Sequence, residues 1–211
     1  VINLTEDGTD SSATKWQIAN LDSGASYSDN VTQFFKTYDY IREEQTDWWK
    51  KEHDRVGSSV PVVAYYHIPQ QENILTWELV QNGATNYNNY FKLEDFAESE
   101  VPSNFFEVGK ANNLKGCFMG HAHANDWTVE IDGVTVGLGV KTGTELYYGK
   151  IDVNSNDPAI KATLDKNGIT ESFDLIGASL VTLKDDQTFD LTHLYLNERE
   201  SGDFVRWVDY K

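Results

Sequence analysis

Val62–Pro69, VVAYYHIP, constrains this chain more than any other stretch. It is a short, unbroken run of β-branched and aromatic residues closed by a proline, the pattern of a strand buried on both faces. Upstream, YDYIREEQTDWWKKEHDRVG puts Ile41, Gln45, Trp48, Glu52 and Val56 at helical spacing, and Gly57 suits the position just past a helix. Downstream, SNFFEVGKANN reads as a second helix with Ser103 as its N-cap, and LKGCFMG as the next strand. Residues 14–22 read as an earlier strand ending at Asp22-Ser-Gly. Helix and strand alternate, so the expected class is α/β. Each of the two later strands leads into histidine at its C-terminal end, the edge where ligands bind in α/β sheets.

Residues 71–100 are polar and Asn-rich with scattered aromatics, and read as a long structured excursion of the functional kind. After Trp127 the pattern changes. TVEIDGVTVGLGV reads as a hairpin turning at Asp132-Gly133, and DLIGASLVTLKDDQTFDLTHLYLN as another turning at Lys184-Asp185-Asp186. The expected organisation is one unit over residues 1–211. Within it, 1–127 form an α/β portion carrying the histidines and 128–211 are mainly antiparallel β. The stretch from Asp152 to Thr170 has no assignment.

Composition narrows the partners. The chain has 211 residues, the size of one domain or of half a larger one. Lys plus Arg number 17 against 34 Asp plus Glu, a net charge of −17, so a nucleic-acid backbone is not an expected partner. An anionic substrate needs a local positive charge, which a bound metal can supply. No apolar run is long enough to span a membrane, and no signal-peptide pattern opens the chain. Its first residue is Val1, which implies processing, trimming or excision from a longer protein. The single cysteine, Cys117, lies in an apolar run and reads as an inert buried thiol. Asn3-Leu-Thr and Asn30-Val-Thr are glycosylation sequons if the chain is secreted. With the acidic composition they point toward a secreted, lysosomal or vacuolar setting, but the compartment stays open.

The five histidines differ in promise. In GHAHAND, His121 and His123 are two apart, and in extended backbone they project from one face roughly 6.6 Å apart along the chain. That suits two ligands of one metal, or one ligand for each of two neighbouring metals. A cupin reading fails, because the glutamate it needs would fall at Trp127 or Thr128. His67 gains weight from holding the matching position on another strand. His53 reads as solvated on a charged helix face, and His193, alternating with Leu191 and Tyr195, as a packing residue. Cys117, Met119 and the Trp48-Trp49 pair read as core. The candidate metal ligands are therefore His67, His121 and His123.

In order, Leu21-Asp22-Ser23-Gly24, Tyr38-Asp39-Tyr40-Ile41 with Gln45 and Trp48, Tyr66-His67-Ile68-Pro69, and Gly120 to Asp126 resemble the calcineurin-like metallophosphoesterases. They resemble most the purple-acid-phosphatase-like branch. Lys141-Thr142-Gly143 and Gly177-Ala178-Ser179 fall where that family has similar turns. The resemblance implies a four-layer α/β/β/α sandwich with mixed sheets and a two-metal site (Fe, Zn or Mn) acting on a phosphate ester. His67 and His121 would then hold one metal and His123 the other. The family's D-x-H, G-D-x-x-D and G-N-H motifs do not occur here, and Ala122 stands where aspartate is frequent. The resemblance thus implies a C-terminal half with no catalytic acid of its own. Its partner would be the N-terminal half of the same protein, and alone it would be a poor catalyst. The alternative is a non-catalytic binding module that keeps part of a metal site.

Overall fold

A computed structural model describes residues 1–9, 13–28, 35–82, 87–95, 97–142, 158–170, 176–196 and 204–210. The Asn30 sequon, Gly143 and residues 152–157 lie outside these. Seven strands form the main sheet. They are β1 (Ile2–Thr5), β2 (Thr14–Asn20), β5 (Val62–Tyr66), β6 (Tyr87–Lys92), β7 (Leu114–Met119), β8 (Asn125–Ile131) and β9 (Val134–Leu138), in the order β1-β2-β5-β7-β9-β8-β6. β2, β5, β7 and β9 run parallel, and the strands at both ends pair antiparallel. β3 (Ser26–Ser28) and β4 (Phe35–Tyr38) make a small separate hairpin. A second, antiparallel sheet holds β10 (Gly177–Leu183), β11 (Phe189–Leu196) and β12 (Phe204–Tyr210). The fold is α/β with a mixed sheet, as the alternation predicts.

The run VVAYY of β5 is covered on both sides. Val62, Ala64 and Tyr66 join a core with Trp49 of α1 (Glu43–Val56) and with Phe105 and Phe106 of α3 (Phe105–Ala111). Val80 of α2 (Glu72–Gln81), Trp127 and Val129 extend that core along the sheet. On the opposite face Val63 packs with Trp16, Phe118 and Leu191, and Tyr65, Val181 and Phe189 close around them. One sheet face thus meets helices and the other meets the second sheet. α4 (Pro158–Asn167) falls in the stretch without a sequence assignment.

Several expectations are corrected. The buried positions of α1 are Thr46, Trp49 and His53, so the inward stripe is rotated one residue from the predicted one. His53 is fully buried and stacks on Trp49 at 5.4 Å, whereas it reads as solvated from sequence. Trp48 is 44% exposed and leaves the core to Trp49 alone. The excursion over 71–100 contains α2 and an edge strand of the main sheet, β6. Helix α3 begins one residue later than the Ser103 cap implies: Asn104 holds the cap position, and the Ser103 hydroxyl accepts the Phe105 N–H at 3.2 Å.

The Asp132-Gly133 hairpin forms as predicted, with both turn residues at positive φ, 51° and 80°, as a primed turn requires. Its strands do not lie apart from the α/β portion: β9 inserts between β7 and β8. The chain leaves β7, crosses over the end of β9 through Gly120–Ala124, runs along β8 and returns. The histidine loop is that crossing.

Candidate functional site

The pieces that are scattered in sequence meet at the C-terminal end of β2, β5 and β7. Gln45 of α1 grips the turn after β2 with both ends of its amide. Its Oε1 accepts the Asp22 N–H at 2.7 Å and its Nε2 donates to the Asp22 carbonyl at 2.8 Å. The buried Ser23 hydroxyl accepts the Ile68 N–H at 2.7 Å, fixing the backbone just after His67. Gly24 sits at φ +68°, and a side chain there would lie 2.3 Å from the Asp39 carboxylate. Glycine is therefore required twice, by conformation and by space. Both carboxylate oxygens of Asp39 in turn accept from Arg42 Nη2, at 3.0 and 3.1 Å.

His67 is exposed, and its carbonyl accepts the Gly120 N–H at 3.1 Å. The absent side chain of Gly120 allows this approach, since a Cβ there would stand 3.2 Å from His67 Nδ1. His121 follows at φ +69°, and the Ala122 N–H bonds back to the Gly120 carbonyl at 2.8 Å. That combination is a γ-turn centred on His121, a strained conformation for any L-residue, of order 1–3 kcal/mol. The H-x-H segment is thus bent at its first histidine and is not extended. The bend sends His121 to His67. His121 Nδ1 lies 3.1 Å from His67 Nε2, with the rings edge-to-face at 78°. The Tyr38 ring stands edge-on to His121 at 4.4 Å. Burial first, then the neighbouring His67 and His123, push the His121 imidazole down to about 4. It is therefore neutral at physiological pH, as a ligand must be. Its Nε2 is buried and has no hydrogen-bond partner among the described residues.

His123 is near enough to act on His121, but among the described residues no three His, Cys, Asp or Glu side chains form a group able to hold a metal. The arrangement offers two converging nitrogens. With metal–nitrogen bonds of about 2.0–2.1 Å, nitrogens some 3 Å apart occupy adjacent corners of one coordination sphere. That fits one ion at two positions. A cage for two ions needs further ligands.

The loop is clamped from both sides. Ala124 N–H donates to Glu94 Oε1 at 2.7 Å, and Asn125 Oδ1 accepts the N–H groups of Leu93 and Glu94 at 2.9 and 3.1 Å. Beyond it, the buried Asp126 reaches the second sheet, where His193 Nδ1 lies 3.0 Å from its Oδ1 and Tyr195 donates its hydroxyl to Oδ2. Sequence reading misses Tyr38, Ser23, Asn125 and Asp126 as parts of the site, although all four fall inside its quoted motifs. His193 is buried, as a packing role requires, and it also carries this polar link. Lys141, whose Nζ is buried without a partner among the described residues, has its ammonium pushed down by burial.

The sequence comparisons find purple acid phosphatases named as probably inactive. The chain is 26% identical over 155 residues to "Probable inactive purple acid phosphatase 14" of Arabidopsis thaliana, covering 68% of this chain and 37% of that protein. It is 28% identical over 141 residues to "Probable inactive purple acid phosphatase 28" of the same plant, covering 64% and 34%. The chain therefore spans about a third of the length of the curated relatives it matches. No family model matches it. The similarity supports a purple-acid-phosphatase-like family at a distance.

Proposed function

We propose that this chain is the C-terminal half of a metal-dependent phosphohydrolase of the purple-acid-phosphatase-like kind, half of a four-layer α/β/β/α sandwich. The observation that carries the reading is the His67–His121 contact, 3.1 Å between ring nitrogens, at the matching ends of neighbouring parallel strands. His67 and His121 would hold one ion of a pair and His123 the other, the metal being Fe, Zn or Mn. When bound, such a pair supplies a hydroxide nucleophile and neutralises the oxygens of a phosphate ester. This chain's own contribution is positional. The γ-turn aims His121, the Tyr38 ring edge limits its swing, and burial keeps it unprotonated. The acid for the leaving group and the carboxylates of the cage would come from an N-terminal half carrying D-x-H and G-N-H. No nucleic acid partner is expected for so acidic a chain, and no described helix is long and apolar enough to cross a membrane.

A second reading has its own support. Both relatives are named inactive, which favours a binding module with a partial metal site. One experiment separates the two. The 211-residue chain, the same chain joined to its upstream sequence, and His121→Ala and His123→Ala variants of the joined form are assayed on p-nitrophenyl phosphate with and without Mn²⁺ or Zn²⁺. The phosphohydrolase reading expects turnover only in the joined form with metal, lost in both variants. A joined protein that binds metal through these histidines but never turns over ester establishes the binding module instead.

A further inference from the structure

Most of the interface between the two sheets is apolar: Trp16, Val63 and Phe118 from the main sheet against Leu191, with Val181, Leu183 and Phe189 around them. At one point it is not. Asp126, 3% exposed, projects from the start of β8 between His193, 1% exposed, and Tyr195, also 1% exposed, of β11. His193 Nδ1 lies 3.0 Å from Oδ1 and 3.1 Å from Oδ2, and the Tyr195 hydroxyl donates to Oδ2. Burying a carboxylate is unfavourable unless it is hydrogen-bonded, and apolar residues of the same size would pack this interface without that demand. The position of the carboxylate suggests what it does. It is the first residue beyond the stretch Gly120–Asn125 that presents the candidate ligands. That stretch is held on its near side by the Gly120 bond to His67 and on its far side by the Glu94 and Asn125 clamps.

We infer that Asp126, His193 and Tyr195 form a positioning latch, which ties the histidine loop to the second sheet and holds His121 against His67 in its strained turn. The inference rests on the reading of His67 and His121 as a site, but its test does not depend on metal. A γ-turn at a histidine relaxes unless its flanks are pinned. The near flank is pinned by β7 and His67, and the far flank by Asn125 and this latch. If the latch goes, β8 still pairs with β9 and β6, but residue 126 is no longer fixed in depth between the sheets. The loop then relaxes toward ordinary backbone, and His121 parts from His67.

The test uses the 211-residue chain and four variants: Asp126→Ala, Asp126→Asn, His193→Leu and, as a control for lost packing alone, Leu191→Ala. Two quantities are read after circular dichroism has shown each to be folded: nuclear Overhauser contacts between the His67, His121 and Tyr38 rings, and Co²⁺ affinity by calorimetry and visible absorption. Asp126→Ala and His193→Leu are expected to lose the ring contacts and to bind Co²⁺ about 10–100-fold more weakly, the size typical for outer-sphere partners of metal ligands. Asp126→Asn, whose carboxamide oxygen still accepts from Tyr195, is expected to recover part of both. Leu191→Ala is expected to melt earlier with ring contacts intact. Ring contacts that persist in Asp126→Ala, or that vanish equally in Leu191→Ala, overturn the latch. Should Asp126→Ala not fold, His193→Leu decides in its place by the same criteria. A parent chain that shows the ring contacts and their loss in the latch variants, yet binds no Co²⁺, upholds the latch and removes the metal reading.

Discussion

Gly24 and Gly8 share nearly the same backbone twist, φ +68° and +76°, but not the same surroundings. A Cβ at Gly8 meets nothing within 4 Å, while one at Gly24 runs into the Asp39 carboxylate. Gly8→Ala is expected to destabilise by about 1–2 kcal/mol, the strain of a left-handed L-residue. Gly24→Ala is expected to exceed this clearly, because it also pushes Asp39 from Arg42 and disturbs the backbone beside Tyr38. Urea denaturation of the two variants gives the comparison directly, and equal effects would refute the steric argument. At His53 the test variable is pH. Burial is the largest cause lowering its imidazole below the ordinary value of 6.5. The unfolded chain therefore takes up a proton near 6.5 while the folded chain resists it. Stability is complete above 6.5 and falls as pH drops below it, and the drop continues toward 4 because His121 is lowered in the same sense. Thermal melts between pH 7.5 and 4.5 should show this loss in metal-free protein. His53→Leu should flatten its upper part.

At the scale of elements, what was legible and what was hidden have physical causes. β5, β7 and the β8–β9 hairpin announce themselves because strands covered on both sides leave apolar runs, and a primed turn favours Asp-Gly. α2 stays hidden because its buried face is Asn73, Thr76 and Val80. The Thr76 hydroxyl is there to accept the Trp127 indole N–H at 2.8 Å, so a polar residue does a core residue's work and breaks the apolar period. The same effect misplaces the stripe of α1, where Thr46 and His53 face inward. The site follows this pattern. Its histidines were visible at the strand ends, and their approach to each other was not, because it depends on a γ-turn that extended-strand spacing does not describe. Trp49 and Trp48 turn the point into a measurement. Trp49 is fully buried and donates its indole N–H to Gln17 at 3.1 Å. Trp49→Ala is expected to lose about 3–5 kcal/mol, and Trp48→Ala no more than about 0.5 kcal/mol, in chemical denaturation. Comparable losses would restore the predicted stripe.

At the scale of the molecule, the two sheets share one apolar interface, and the candidate site lies where that interface ends. Metal binding by the described residues is therefore expected to be weak and confined to one ion. Protons are expected to compete for the metal only toward pH 4, because burial pushes the His121 imidazole down to about 4. Isothermal titration with Zn²⁺ at pH 7.5, 5.5 and 4 measures both features, and two tight sites at any of these would show that carboxylate ligands outside the described residues complete a cage.

The crossing of the histidine loop over β9 also bears on the order of assembly. β8 and β9 are joined by a two-residue turn and need only each other to form, whereas β9 meets β7, and β7 meets β5, through parallel ladders between distant parts of the chain. Short closures precede long ones. The hairpin should therefore exist before it docks, and Gly120–Ala124 remains slack until it does. The imidazoles come together only when that docking is complete. In a refolding experiment with pulsed hydrogen exchange, the amides of β8 and β9 should be protected ahead of the Gly120 amide, whose bond to His67 would be among the last to close.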